Sequence, residues 1–168
     1  TSKTFWSEDI NLNLPEPVSA EILRFGFVEE VVINFILRCV KPGNIVVDVG
    51  AHYGFFSLLM HKIVGKNGNV YSFEPTPSTY KVLKTNSKLK NISSYNQAIW
   101  EKNENLYIND YGQSNSAFNS LKGSRDKNFN QMKIKKVKVK GISLDYFFEK
   151  NKITKNFIKI DAESAEKE

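Results

Sequence analysis

The sequence predicts an open α/β sheet, mostly parallel, with helices on its faces. Three observations predict it. Apolar strand-like runs alternate with stretches of helical spacing over residues 19–99. The run at Ile45 to Val49 is short and continuously apolar but for Asp48, as suits a strand buried on both faces, and Asn69 to Glu74 reads as a second strand closed by Pro75. Each is followed by a turn that opens a helix, the order of right-handed crossovers.

The elements follow in order. Thr1 to Pro17 is polar and reads as a loosely structured lead-in, placing the start of the domain near residue 19. Ser19 to Val40 reads as one helix, because Val28, Val31, Val32, Phe35, Ile36 and Cys39 keep helical spacing. Lys41-Pro42-Gly43 stops it. The strand Ile45 to Val49 leads through the tight turn Gly50 to Gly54 into a helix over Phe55 to Val64, which Gly65 ends. Asn69 to Glu74 is the second strand. Pro77 lies near the start of the next helix, a favoured place for proline. Ile92 to Ile99 is a third strand, completing a cofactor-binding half over residues 45–99.

Residues 100–140 read as an insertion. Glu104 to Asn109 and Lys133 to Lys140 are expected to form an antiparallel pair across a long loop, Asp110 to Asn130, rich in Ser, Asn and Gly. The lysines of the second strand are expected to guard a sheet edge. Ser143 caps a short helix to Asn151, with Leu144, Phe147 and Phe148 facing inward. Asn156 to Asp161 is a last buried strand within the 143–161 segment.

The 168 residues suit one domain, and a charged fraction of 25% leaves enough apolar surface for a core. The net charge of +6 suits a lysine-rich solvated surface. Nucleic acid is disfavoured as a partner, since the basic cluster has no interleaved aromatic residues for base stacking. Cys39 is the one cysteine, which excludes an internal disulfide; a small core position and a reducing, cytoplasmic setting are expected. No apolar stretch is long enough for a membrane span, and the N-terminus has no signal-peptide pattern.

The chemistry concentrates at Asp48-Val49-Gly50-Ala51-His52-Tyr53-Gly54, between a strand and a helix. Ligands of open α/β sheets sit at such carboxyl ends. Gly50 and Gly54 let the chain turn sharply beside a ligand. The spacing is not that of a pyrophosphate-binding Gly-x-Gly-x-x-Gly turn. An acid, Asp48, precedes the first glycine, which suits a ligand carrying an amino group and a sulfonium cation. The following helix N-terminus suits a carboxylate. Glu74, at the end of the next strand, can accept hydrogen bonds from ribose hydroxyls.

These motifs resemble the FkbM family of methyltransferases. The resemblance runs through Phe25-Gly26-Phe27-Val28-Glu29, Val46 to Gly54, Val70-Tyr71-Ser72-Phe73-Glu74-Pro75, Ser143 to Phe147, and Phe157-Ile158-Lys159-Ile160-Asp161-Ala162-Glu163-Ser164-Ala165-Glu166. It implies a Rossmann-like class I methyltransferase fold over residues 19–168 and S-adenosyl-L-methionine as cofactor. It also implies O-methylation of a small-molecule hydroxyl acceptor such as a sugar or polyketide. Asp48, Gly50 and Gly54, with Ala51, His52 and Tyr53 in the same turn, would line the methionine side. Glu74, followed by Pro75, would hold the ribose, and Gln97 and Ala98 would lie near the adenine.

The chain departs from the family at Ser164, where glycine is usual, and the family's sheet continues past the last motif. The C-terminal strands are therefore expected to be missing, leaving an open edge suited to self-association and a domain of little activity. Asp161, Glu163 and His52 are the candidates for the base that a hydroxyl acceptor needs. Asp161 and Glu163 are also oxygen donors of the kind magnesium prefers, but nothing else has metal-ligand spacing and no metal is expected. The rival functions are an inactive, cofactor-binding remnant and an NAD-linked oxidoreductase, the latter disfavoured by the missing pyrophosphate glycines.

Overall fold

The computed structural model describes residues 1–88, 91–121 and 134–162. Three helices, α1 (Pro17–Phe25), α2 (Glu30–Cys39) and α3 (Phe55–Val64), precede or alternate with the strands β3 (Ile45–Val49), β4 (Asn69–Phe73) and β5 (Ile92–Tyr95). Helix α4 (Pro77–Asn86) joins β4 to β5. The central sheet has four strands in the order β5-β4-β3-β9, where β9 is Phe157–Ile160, and every neighbouring pair is parallel. The chain thus leaves β3 in one direction through β4 and β5 and returns on the other side as β9.

Alternation along these strands sorts side chains onto two faces. Val46 and Val70 pack under α3 with Ile36, Leu58 and Met60. Val47, Val49 and Phe73 face the opposite way, onto Phe147 and Phe148 of α5 (Leu144–Asn151). Burial on both faces is why β3 reads as an apolar run broken only by Asp48. Ser143 caps α5 by accepting from the Tyr146 N–H at 3.3 Å.

A separate three-stranded sheet is drawn from residues 98–110 and 135–142. Its centre is β8 (Lys135–Ile142), antiparallel to β7 (Asn105–Asp110) and parallel at its end to the two-residue β6 (Ala98–Ile99). The expected antiparallel pair is present. The expected single strand Ile92 to Ile99 is divided, because Asn96 turns the chain: its amide donates to the carbonyls of Glu74 and Pro75 at 2.9 and 2.8 Å. Part of the expected loop is a 3₁₀ segment, Gln113–Phe118.

The N-terminal region differs from its sequence reading in three ways. Residues expected to be loose form a hairpin of β1 (Ser2–Lys3) and β2 (Asp9–Ile10), with Ile10 fully buried in the core and Trp6 edge-on to Phe55. The expected helix from Ser19 to Val40 is two helices. Gly26, at φ +77°, ends α1 while its N–H bonds the Ile22 carbonyl, and Glu29, at φ +50°, starts α2. The break rotates α2, so Ile33 and Ile36 face inward while Val31, Phe35 and Cys39 are exposed. Cys39 is therefore a surface residue and not the small core residue expected of it.

Candidate active site

The turn after β3 is held by the strand beside it. The N–H groups of Gly50 and Ala51 donate to the Phe73 carbonyl at 3.0 and 2.9 Å. Gly50 has φ +70°, and a Cβ there would collide with the Asp161 carbonyl. Only glycine lets the end of β9 cross this turn, and the crossing brings the two motifs together. Gly54, at φ +90°, opens α3 without a side-chain cap, and a Cβ on it would stand 2.8 Å from Leu83.

A crevice runs along the carboxyl ends of β3, β4 and β9, with about 1070 Å³ of empty space when its open mouth is included. Gly50, Ala51, His52, Tyr53, Glu74, Pro75, Gln97, Ala98 and Asp161 all line it. Asp48 and Gly54 do not. They stand behind its wall, and Asp48 is fully buried under α3. The Ser57 hydroxyl, on α3, donates to Asp48 Oδ2 at 2.6 Å and lies 2.8 Å from Ser72 Oγ. Glu163 lies outside the described residues.

Glu74 is buried at the end of β4. Its Oε1 accepts from the Thr76 N–H at 2.9 Å and its Oε2 from the His52 N–H at 3.1 Å. Burial pushes its carboxyl up to about 7, against the opposing pull of those two backbone donors. Each oxygen keeps a further acceptor position, so the carboxylate can take two hydroxyl donors from the crevice.

His52 sits at φ +50°, a left-handed conformation uncommon for a residue with a side chain. Burial, helped by the charge of Lys159, pushes its imidazole down to about 3, so the ring is neutral near pH 7. Its Nε2 lies 2.9 Å from Ser116 Oγ, which is also 2.9 Å from the Tyr53 hydroxyl. Burial also raises Tyr53 above the ordinary tyrosine range. Ser116 belongs to the 3₁₀ segment, and Asn119 beyond it donates to Thr76 Oγ1 at 3.3 Å. The inserted sheet therefore closes over the β4 end of the crevice.

The other end is charged. In the β3–β9 register Asp48 stands beside Lys159. The Lys159 ammonium lies 3.4 Å from Asp48 Oδ1 and 3.6 Å from Asp161 Oδ2, and 4.9 Å from the centre of the Phe56 ring. Burial opposes its charge, but Asp48, Asp161 and Glu29 outweigh that and hold it above the ordinary lysine value. Glu29 lines the same end, and burial followed by the charge of Asp161 raises its carboxyl.

Sequence reasoning gave no role to Lys159, Glu29 or Ser116. For Lys159 a signal was present: a lysine inside the apolar strand Phe-Ile-Lys-Ile must find a buried partner. The strand pairing that supplies Asp48 is a long-range fact.

The fold thus brings an acid at the end of β4, a glycine turn after β3 and a crevice across both to one edge of a parallel sheet. The family model of the methyltransferase FkbM domain matches residues 48–168, and the chain belongs to that family. Its sheet is the Rossmann-like core of a class I methyltransferase domain. Curated protein sequences give no match. Among solved structures, a SAM-dependent O-methyltransferase from Thermotoga maritima aligns at 19% identity over 49% of this chain and 36% of its own, with a TM-score of 0.41. A SAM-dependent methyltransferase from Aquifex aeolicus aligns at 22% identity over 51% of this chain and 52% of its own, with a TM-score of 0.37. Fibrillarin from Aeropyrum pernix, with natively bound S-adenosyl-L-methionine, aligns at 22% identity over 41% of this chain and 32% of its own, with a TM-score of 0.37. The chain thus spans about half or less of the solved structures it matches.

Proposed function

We propose that this chain binds S-adenosylmethionine in the crevice and serves methyl transfer to a hydroxyl of a small acceptor, such as a sugar or polyketide. The observation that carries the reading is Glu74, buried at the strand end with both oxygens fixed by backbone donors and both still able to accept. It fits the two hydroxyls of a ribose. Gln97, Ala98 and Pro75 supply the wall for the base, and the backbone of Gly50 to Tyr53 the wall for the amino-acid end. The N-terminus of α3 favours a carboxylate there.

When bound, the cofactor supplies an electrophilic methyl group on a sulfonium centre. The chain's own part is to hold and orient. Asp161, half-exposed at the end of β9 and fixed by Lys159, is the residue we assign to the acceptor. It would accept a hydrogen bond from the acceptor hydroxyl and receive its proton. His52, neutral and engaged with Ser116, is better suited to positioning the turn than to taking that proton. Asp48 acts from behind the wall, fixing α3 and Lys159.

Calorimetry with S-adenosylmethionine and NAD tests the first half of the reading. S-adenosylmethionine should bind and NAD should not, and the reverse would favour the oxidoreductase alternative. A labelled-methyl assay over a panel of sugars and polyketides tests the second half, and binding without transfer to any of them would favour the cofactor-binding remnant.

A further inference from the structure

The chain carries a net charge of +6, yet at the β9 end the carboxylates of Glu29 and Asp161 line the crevice beside Lys159, with Asp48 behind the wall. Lys159 is already matched, lying within 4 Å of both Asp48 and Asp161. Glu29 is not. It occupies the N-cap of α2 but makes no side-chain cap bond, and among the described residues no ion pair engages it. Its backbone is held at φ +50°, a conformation that persists in a side-chain-bearing residue only when its surroundings enforce it. Phe55 and Phe56 also line the crevice, and the Phe56 face meets the Lys159 ammonium. Glu29 is exposed at the edge of the crevice, and a carboxylate without an ionic partner and an aromatic face both favour positive charge beside them.

We infer that Glu29 and Asp161 read the charge on the donor's sulfur, holding the sulfonium form more tightly than the neutral thioether that remains after transfer. The inference rests on the donor-binding reading above. It assigns to Glu29 a specificity role that the nucleoside end cannot supply, because Glu74 meets the ribose, which is common to both forms. A site with this bias releases its spent donor readily and resists product inhibition.

The experiment is calorimetry on the 168-residue chain with S-adenosylmethionine and S-adenosylhomocysteine, which differ by the methyl group and one charge. The native chain should bind the sulfonium form about threefold to tenfold more tightly at low salt, and the preference should shrink as salt screens it. Glu29→Gln keeps the shape, removes the charge and touches no buried pair, so it should fold. It should abolish most of the preference by weakening the sulfonium form alone. Asp161→Asn is the second variant and should act in the same direction. A preference unchanged in both variants would overturn the inference, as would a parallel loss for the two ligands, which would place the acids on the shared amino group. Failure of the native chain to bind either ligand would overturn the donor reading itself.

Discussion

The two ends of the crevice use carboxylates in opposite ways. At the β4 end Glu74 is buried among backbone donors, no ion pair engages it among the described residues, and burial pushes it up to about 7. At the β9 end Asp161 and Asp48 are held by a lysine, and Glu29 adds a further negative charge. A carboxylate held by N–H groups is a hydrogen-bond acceptor shaped for hydroxyls. A carboxylate in an ion cluster is a source of field. The difference suggests a division of labour, recognition of the nucleoside at one end and of charge at the other.

Removing the cation should break this comparison most severely. Lys159→Met would leave Asp48 fully buried with its charge unpaired, and losing one member of a buried pair costs about 3–5 kcal/mol. The thermal midpoint should fall steeply, with the ends of β3 and β9 losing amide-exchange protection first. An unchanged midpoint would mean that the Asp48–Lys159 pair contributes little.

Gly50→Ala comes next, because Gly50 is where the two ends touch. The added Cβ meets backbone, the Asp161 carbonyl, which cannot swing aside. A loss of about 3 kcal/mol or more is expected from strain and overlap together. Gly43→Ala is the control: it has a similar φ of +81° with nothing within 4 Å, so only the left-handed backbone cost of about 1–2 kcal/mol applies. Equal losses in the two variants would show that the β9 crossing is not tight.

Glu74→Ala should cost less in stability and more in binding. Loss of charged hydrogen bonds of about 1.5–3 kcal/mol corresponds to a tenfold to hundredfold weaker nucleoside affinity. S-adenosylmethionine and S-adenosylhomocysteine should lose equally, in contrast to Glu29→Gln. The same residue sets a pH dependence. Hydroxyl donors favour the ionised carboxylate, so affinity should be full above about pH 7 and decline as pH falls through that value. In calorimetry at pH 6 and pH 8, equal affinities would argue that Glu74 does not meet the ligand.

The same contrast explains what could be read from the chain. The β4 end is local: an acid closing one strand and a glycine turn closing its neighbour are visible as short motifs, and so were the parallel sheet and the cap at Ser143. The β9 end is assembled from Glu29 and Lys159, far apart in sequence, and becomes a cluster only when β9 pairs with β3 and the α1–α2 break brings the exposed Glu29 to the crevice. That break was hidden because Gly26 falls inside an apolar pattern whose spacing suits a helix throughout. Asp48 was legible as an important acid, but its direction was not. Alternation along β3 puts it on the α3 face, behind the crevice, where Ser57 and Lys159 claim it. The N-terminal hairpin was missed because its polar sequence shows little apolar periodicity, and its order comes from Ile10 and Trp6 packing on distant core residues.

A crystal structure of the chain with S-adenosylhomocysteine tests the central claim most directly. The account predicts the ribose hydroxyls on the two Glu74 oxygens, the base against Gln97 and Ala98, and the sulfur at the Gly50–Asp161 crossing with Glu29 beyond it. A ligand bound elsewhere, or bound in the crevice with its ribose away from Glu74, would contradict it.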